Sequence, residues 1–260
     1  NYIQDARILI NYVPGNEDSI DVVVITKDLF SLYIEVNDLS SDKIKARIGD
    51  ANVGGMGQKL QFTGLYHKKR EPVFAYDAYY RKNNIKNTFI NAAFQYSQIR
   101  SNLNGDKPDE RAVLFMLDRP LISQFSHMAG GLLVGFNQSA NEYDLPDSLY
   151  YNYRYNTFDA WLGYNLGVKD FLENNHRRDR KFVSLRYLNR HFSEVPYQVG
   201  KNFNQLYNSR TALLLSFTFF RQTFYKTNYI YGFGTTEDVP SGYNIAFTTG
   251  WYKQLNRVHG

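Results

Sequence analysis

The sequence predicts an all-β protein: an antiparallel transmembrane β-barrel, or most of one, preceded by a small separate element. The first observation is an alternation of apolar and polar residues that hardly stops after residue 29. The second is an aromatic content of 17%, with 22 Tyr and 19 Phe that gather near the ends of the predicted strands. This combination is typical of barrels whose apolar face contacts lipid and whose aromatic girdles lie at the two interfaces.

The composition excludes several other classes. The chain has 260 residues and no Cys, which removes disulfides and thiolate chemistry and fits an exported bacterial protein. Mean hydropathy is -0.48, and no run approaches the ~18 apolar residues of a membrane helix, so a helical membrane protein is excluded. The net charge is +5, but the basic clusters "HKKREP" and "HRRDRK" lie between predicted strands without a binding motif, so we expect no nucleic-acid partner.

Residues 1–28 form the first predicted element. "ARILINYVP" and "IDVVVITKD" are predicted as two strands joined by "GNEDS", and the second is too continuously apolar to cross a membrane beside a wet interior. We therefore expect a small soluble element over 1–28 and the barrel over 29–260. The start of the chain, without Met or a signal segment, indicates a processed protein or a fragment.

The first barrel strand is predicted to begin at Leu29. It alternates apolar residues with polar ones, namely Phe30, Leu32, Ile34 and Val36 against Ser31, Tyr33, Glu35 and Asn37. The apolar set is expected to face lipid.

The glycine cluster "GGMG" that follows could in principle cradle a phosphate, which would require a helix after it. Instead Leu60, Phe62, Gly64 and Tyr66 repeat with a period of two, which indicates a strand. We therefore expect a turn between two strands, with glycines at positive φ.

The remaining strands repeat the same alternation, most clearly in "TFDAWLGYNLGV" at 157–168. We count about eleven or twelve strands between 29 and 254. A soluble sandwich is the alternative, but its strands usually run about five or six residues and these are longer.

The lengths of the connections predict the orientation of the barrel, because such barrels have longer loops outside the cell and shorter turns on the periplasmic side. We expect five connections outside, namely "NDLSSD", "KKREP", "RSNLNGDKPDE", "SANEYDLPDSLYYN" and "HFSEVPYQVGKNFNQLY", and the mostly shorter turns inside. "DFLENNHRRDR" is long for a turn on the inside.

Several of these segments resemble a known family. "IDVVVITKD", then "LFSLYIEV", then "GDANVGGMGQKLQF" resembles the junction between the last POTRA domain and the barrel in the BamA-like outer-membrane assembly and translocation family. Asp50, Asn52, Gly55 and Gly57 match that family's D-x-N-x-x-G-x-G turn. "YYRKNNIKNTFINAAFQY" and "LDRPLISQFSHMAGGLLVGF" look like its repeated hairpins, and "YGFGTTEDVPSGY" adds a weaker similarity.

The resemblance implies a function that is not enzymatic and needs no cofactor or metal. Such a protein, in the outer membrane of a Gram-negative bacterium with its N-terminal element in the periplasm, inserts or folds other proteins there or translocates them. Its partners would be outer-membrane lipid and client proteins, while accessory lipoproteins or a larger assembly complex are left open. The family's R-G-F/Y motif and a terminal aromatic do not occur, which implies an N-terminal part of a longer barrel.

The edge that would receive a client strand is the first barrel strand. Its residues are Leu29, Phe30, Ser31, Leu32, Tyr33, Ile34, Glu35 and Val36. Recognition would run through backbone groups, so no catalytic residue is expected.

Two other functions stay open. The first is a passive channel or nutrient receptor with a pore lined by Glu35, Asp77, Asn91, Gln95, Asp159, Asn165 and Arg186. The second is a lipid hydrolase that uses Ser193 and His191, for which the sequence shows no activating partner.

Overall fold

The structure, a computed structural model, describes residues 3–12, 19–28, 30–105, 107–121, 126–166, 179–200, 204–228, 236–254 and 257–259. Within these residues every long element is a β-strand, and helical structure is limited to short 3-10 turns. In the same part of the chain, no helix combines the length and the apolar content that a bilayer crossing requires.

The strands follow one another along the chain with few other elements between them. Their bounds are β1 Ile3–Tyr12, β2 Ile20–Asp28, β3 Leu32–Leu39, β4 Lys43–Asp50, β5 Gln58–His67, β6 Phe74–Lys82, β7 Asn91–Arg100, β8 Glu110–Arg119, β9 Met128–Ser139, β10 Arg154–Asn165, β11 Asp179–Glu194, β12 Arg210–Asn228, β13 Thr236–Gln254 and β14 Arg257–His259.

Strands β3 to β14 form one antiparallel sheet of 12 strands in which each strand pairs with its neighbours in sequence. The predicted all-β antiparallel architecture is therefore confirmed. In the described residues the sheet is not closed, because β3 and β14 are its two ends and pair on one side only. The short β14 covers only Tyr252, Lys253 and Gln254 of β13.

The two N-terminal strands form a separate antiparallel hairpin, β1–β2. Apolar side chains lie on both of its faces and are exposed, for example Leu9 at 48% and Ile10 at 57%. The two predicted strands are thus present, and the assignment of 1–28 to the end of a POTRA-like periplasmic domain stays a prediction.

The large sheet has one face that is apolar and exposed, which we call the apolar face. Ile34, Ile48 and Phe62 lie opposite one another on β3, β4 and β5, because the register pairs each with the next. The same face continues across the sheet with Phe94, Phe115, Phe136, Phe158, Leu162, Leu185, Phe217 and Phe247, all of which are exposed.

The opposite face, the polar face, carries small and polar side chains. One row of paired residues runs across the strands from Thr63 through Asp77, Ser97 and Ala112 to Asn137, and all of them are buried. This arrangement is the reverse of a water-soluble sheet, in which the apolar face would be buried and the polar face exposed. The alternation of the sequence thus creates two faces of opposite character.

The connections that the sequence assigned to one end do share one end of the sheet. Because neighbouring strands are antiparallel, the segments after β3, β5, β7, β9 and β11 lie at the same end, and the turns after β4, β6 and β8 lie at the other. The "DFLENNHRRDR" turn lies almost entirely outside the described residues. Strands β4 to β8 contain 8 to 10 residues each, close to the ~9 to 11 of a membrane crossing.

Neighbouring residues of β13 offer a direct test of the two faces. Phe247 lies on the apolar face opposite Phe217, and Thr248 lies on the polar face opposite Ser216. If the apolar face contacts lipid, Phe247→Arg should lower the free energy of unfolding in bilayers by about 2 to 4 kcal/mol, because a charge enters hydrocarbon, and Thr248→Arg should cost far less. Urea unfolding of both variants in vesicles measures the difference.

Both side chains are exposed, so in water alone neither arginine would meet a steric or desolvation penalty. Equal stabilities of the two variants in vesicles would therefore contradict a lipid-facing apolar surface. Phe247→Ala is the control for loss of the ring opposite Phe217.

Candidate functional site at the open edge of the sheet

Strand β3 is one end of the large sheet. It pairs with β4 alone, from Leu32 opposite Asp50 to Val36 opposite Ala46. Its other side faces no strand among the described residues. The structure thus places β3 at an end of the described sheet, and its use as an edge for client strands stays a prediction.

The register shows which backbone groups of β3 point away from β4. The amide of Ala51 donates to the carbonyl of Ser31 at 2.8 Å, which makes Ser31 and Ala51 a hydrogen-bonded pair. Hydrogen-bonded and non-hydrogen-bonded pairs alternate along an antiparallel ladder, so Tyr33 and Glu35 also direct their backbone groups at β4. The N–H and C=O groups of Leu32, Ile34 and Val36 consequently point to the open side.

The side chains of these outward-pointing residues are apolar and exposed. Ile34 is 76% and Val36 is 60% exposed, and Phe30 just before the strand reaches 85%. Natural edge strands are commonly protected by Lys, Pro, an inward charge or a bulge. Strand β3 has the charge of Glu35 on its polar face and an irregularity after Val36, but Leu32, Ile34 and Val36 themselves are apolar. Leu29, the first residue of the predicted edge, lies outside the described residues.

The polar-face side chains of β3 hold it against the sheet. The Tyr33 hydroxyl donates to Gln61 Oε1 of β5 at 2.9 Å, so the ring crosses β4 above Gly49. A Cβ at Gly49 would lie 2.5 Å from the Tyr33 oxygen, so a larger residue at this position requires the Tyr33 ring to shift. Glu35 pairs with Arg47 at 2.9 Å, but both are part-exposed, so this ion pair contributes little.

The regular edge ends at an irregularity. The register of β3 against β4 shifts between Val36 and Asp38, as in a β-bulge. A bulge bends the strand and interrupts its ladder. The open edge that a further strand could pair with in regular register therefore spans Leu32 to Val36.

The family-like motif after β4 builds a compact turn. Asp50 Oδ1 accepts from the amide of Asn52, and Asn52 Oδ1 accepts from the amide of Gly57, both at 2.8 Å. Gly55 and Gly57 have φ values of 72° and 64°, a region that favours glycine. Since β5 follows directly, no helix N-terminus is available for a phosphate, as the sequence predicted.

The candidate pore-lining residues all lie on the polar face, mostly in cross-strand pairs. Gln95 Nε2 donates to Asp77 Oδ2 at 2.6 Å, and Arg186 Nε donates to Asp159 Oδ1 at 2.8 Å. Glu35 is bound by Arg47, while Asn91 donates to Asp118 and Asn165 donates to the Ser126 carbonyl. Arginines thus neutralise Glu35 and Asp159, whereas the bond from the neutral Gln95 leaves the charge of Asp77 in place.

Sequence reasoning missed a second cluster, at the end of the sheet with the long connections. The loop cluster consists of the described residues of the segments 68–73, 101–109, 140–153 and 195–209. Arg70 and Glu142 form an ion pair whose side chains are 0% and 3% exposed, and Arg111 also binds Glu142 at 2.7 Å. This pairing joins the β5–β6 connection to the β9–β10 connection.

Glu110 is another buried charged residue beside the loop cluster. Its carboxylate accepts from the Tyr153 hydroxyl and from Asn137 Nδ2, both at 2.8 Å, and from the Tyr155 hydroxyl at 3.3 Å. Burial, and then the neighbouring carboxylate, raise the pKa of Tyr153 far above its usual value, so this tyrosine remains a hydrogen-bond donor. Tyr207 packs against the same rings.

The only sequence signal for this cluster is the tyrosine-rich stretch "SLYYNYRYN", which also fits an interfacial girdle. Its burial depends on contacts between loops far apart in sequence, such as the bond from the Tyr207 hydroxyl to Asn104 Oδ1 at 2.9 Å. Local patterns carry no information about such contacts.

The hydrolase candidates do not meet. Ser193 Oγ donates to the carbonyl of Arg154 at 3.3 Å rather than to His191, and both side chains are exposed. Within the described part of the chain, no group of His, Cys, Asp or Glu residues is arranged to hold a metal ion.

Comparisons with known proteins add a likeness of fold. No family model matches the chain, and no curated protein matches it. The chain is similar to the crystal structure of BamA from Haemophilus ducreyi lacking POTRA domains 1-3, with 12% sequence identity and a TM-score of 0.38. The match covers 96% of this chain and 41% of that one. A likeness at this level identifies neither a family nor a function.

The contact between Tyr33 and Gly49 predicts a selective effect on the edge strand. Gly49→Ala should displace the Tyr33 ring, break its bond to Gln61, and weaken the β3–β4 pairing by about 1 kcal/mol. Hydrogen exchange at the amides of Tyr33 and Glu35, which face β4, should accelerate.

Gly64→Ala is the matched control, because a Cβ at Gly64 meets nothing within 4 Å. It should leave exchange in β3 unchanged. Equal exchange in the two variants would show that Tyr33 does not hold the edge.

Proposed function

We propose that the chain belongs to an outer-membrane β-barrel protein that folds other proteins into the outer membrane, or translocates them, with β3 as the edge that pairs with client strands. The observation that supports this proposal most directly is the row of backbone N–H and C=O groups of Leu32, Ile34 and Val36 that point away from β4. The similarity of the Asp50–Gly57 turn to the BamA-like family supports the same proposal.

The membrane location is supported by the apolar face. Large apolar side chains on nearly every strand of the sheet are exposed, among them Leu162 at 57% and Phe247 at 66%. Monomeric soluble proteins rarely expose contiguous apolar patches larger than a few hundred Å². A surface of this kind is stable where hydrocarbon replaces water, and β-barrels are one of the two architectures that can span it.

The client role follows from the cost of an open edge in such surroundings. In hydrocarbon, each unpaired N–H or C=O group costs several kcal/mol, since no water can satisfy it. The outward groups of Leu32, Ile34 and Val36 would be satisfied by an added strand, the mode of binding called β-augmentation. Their apolar side chains would then continue the apolar face onto the client strand.

The clients that fit such an edge are extended apolar–polar strands of other barrels, since only alternating side chains match both faces. Backbone pairing selects for conformation more than for sequence. The function we propose is therefore not enzymatic. In this proposal the hairpin β1–β2 lies in the periplasm, next to the start of β3.

A passive channel is the second candidate, and the polar face supports it. Polar side chains line that face on most strands, as in water-filled barrels. The ion pairs of Glu35 with Arg47 and of Asp159 with Arg186 neutralise two of the three acidic candidates, whereas Asp77, which is bound by the neutral Gln95, keeps its charge. Solute flux into vesicles that contain the full-length protein, without any effect on client assembly, would favour the channel.

The proposed role of β3 in client pairing can be tested by a substitution that removes a single backbone N–H group. Ile34→Pro removes an N–H that points to the open side and leaves the β3–β4 ladder intact, so the barrel should fold while assembly of other outer-membrane proteins fails. Both are measured in cells that depend on the full-length protein, the first by heat-modifiable mobility and the second by the amounts of assembled clients.

Two controls accompany this variant. Ile34→Val keeps the backbone and should support normal assembly. Glu35→Pro removes an N–H bonded to β4 and should lower the stability of the barrel itself, beyond the effect of Glu35→Ala. Normal client assembly with Ile34→Pro would refute the edge model.

The location can be tested by thiol labelling, since the chain contains no Cys. Asp147 is exposed in the loop cluster, and Met56 is exposed in the turn at the opposite end of the sheet. Asp147→Cys should react with a membrane-impermeant reagent on intact cells, and Met56→Cys only after lysis. The opposite pattern would invert the orientation, and labelling of both on intact cells would argue against a membrane-spanning sheet.

A further inference from the structure

Two arginines lie opposite each other on the polar face, at the end of the sheet with the long connections. Arg190 of β11 pairs in register with Arg210 of β12, as the last pair of that ladder. Arg190 shares the polar face with Arg186, four residues earlier on the same strand. Arg210 shares it with Ser216, six residues later, and no register shift interrupts either stretch. Neither the edge proposal nor the channel proposal uses this pair.

The row of residues that contains the two arginines has no negative charge. Like charges directly opposite each other destabilise an antiparallel pair, because their Cβ atoms are only about 4.5 to 5.5 Å apart. The charge of Arg190 does act on Arg210. The neighbours in the same row are Thr157 of β10 and Gln254 of β13, and both are neutral. Their hydroxyl and amide groups can both donate a hydrogen bond.

Two acidic residues of the polar face, on β8 and β10, have arginines of their own. Glu110 Oε1 lies 3.6 Å from Arg100 Nε, and Asp159 Oδ1 accepts from Arg186 Nε at 2.8 Å. These carboxylates are therefore already balanced. The pair of arginines on β11 and β12 is a surplus of positive charge on this face.

Both arginines can be reached by a ligand. Arg210 is exposed and Arg190 is part-exposed. The guanidinium of Arg190 lies over the ring of Tyr155, 5.1 Å from its centre, which holds the side chain without adding a negative charge. In the part of the chain that the structure describes, neither arginine forms an ion pair.

We propose that Arg190 and Arg210 together bind a phosphate group, whose oxygens accept hydrogen bonds from both guanidinium groups. A guanidinium presents a planar fork of N–H donors that suits phosphate oxygens. A phosphate monoester carries a charge of about −1.5 to −2 at pH 7, which balances two arginines, whereas a carboxylate balances one. The bound group would replace a repulsion by two attractive contacts. The site does not depend on client pairing by β3.

Two sources would supply this group: inorganic phosphate, or the phosphate monoester of a small organic molecule. Both present the same oxygens to the arginines. In the proposed barrel the polar face is turned to the interior, so the ligand would come from water and not from the bilayer. An ester would gain further contacts from its organic part, which a comparison of affinities can detect.

The test titrates inorganic phosphate into the full-length protein in micelles of an uncharged detergent at low ionic strength, followed by calorimetry. Arg190→Gln and Arg210→Gln should each weaken binding by about tenfold or more, because hydrogen bonds to a charged group are lost. Arg154→Gln is the matched control. It removes the same charge at the same end of the sheet but from the apolar face, where Arg154 pairs with Glu194, so the affinity should not change.

Thermal unfolding keeps the test informative if a substitution disturbs the fold. Without phosphate, Arg210→Gln removes the repulsion from Arg190, so its midpoint should equal or exceed that of the unmodified protein. Phosphate should raise the midpoint of the unmodified protein, because it binds the folded state, and should leave Arg210→Gln unchanged. Sodium chloride at the same ionic strength is the control for screening of the two charges.

The outcomes separate the possibilities. Tighter binding of glycerol phosphate than of inorganic phosphate would support the site and assign it to a monoester, while equal or weaker binding would support inorganic phosphate. No binding of either to the unmodified protein, equal binding to Arg190→Gln and Arg210→Gln, or equal binding of acetate would overturn the proposal.

Discussion

The structure depends above all on backbone hydrogen bonding between neighbouring strands. Among the described residues, each strand from β4 to β12 pairs with a neighbour on both sides, and β3 pairs on one side only. In water such an edge is tolerable because solvent completes the bonds. In hydrocarbon it would not be, because surroundings that accept the side chains of Ile34 and Phe247 cannot bond to an amide. The apolar face and the open edge therefore cannot be considered separately.

Much of this was accessible from the sequence because strand pairing is local. An up-and-down sheet pairs each strand with its neighbour in the chain, so a period of two predicts both the strands and their faces. The turn at Asp50–Gly57 was predictable for a similar reason, since its glycines and Asx bonds act within eight residues of sequence. The edge role of β3 was an expectation from the family resemblance, because the strand pattern alone does not distinguish it from an ordinary barrel strand.

The parts that the sequence did not predict depend on contacts between distant loops. Nothing near Arg70 indicates that its guanidinium is buried against Glu142, and Glu110 looks like any charge at the start of a strand. Likewise, the pairing of Asp159 with Arg186 is set by the register of β10 against β11, which a single sequence does not reveal. Closure of the sheet into a barrel would also depend on contacts between distant residues, because it requires pairing between strands far apart in the chain.

These two kinds of contact divide the molecule into a firmly held part and a loosely held part. The connections after β5, β7, β9 and β11 are joined by buried ion pairs, the Glu110 network and packed tyrosines, which link strands β5 to β12 at one end. The edge strand has a single ladder with β4, the Tyr33 contact and two part-exposed ion pairs, Glu35 with Arg47 and Asp38 with Lys43. Local opening occurs where buried contacts are fewest, so β3 should separate at a lower free energy than the sheet behind it. An edge that exchanges partners needs this difference, because it must release one strand and accept another while the rest of the sheet stays folded.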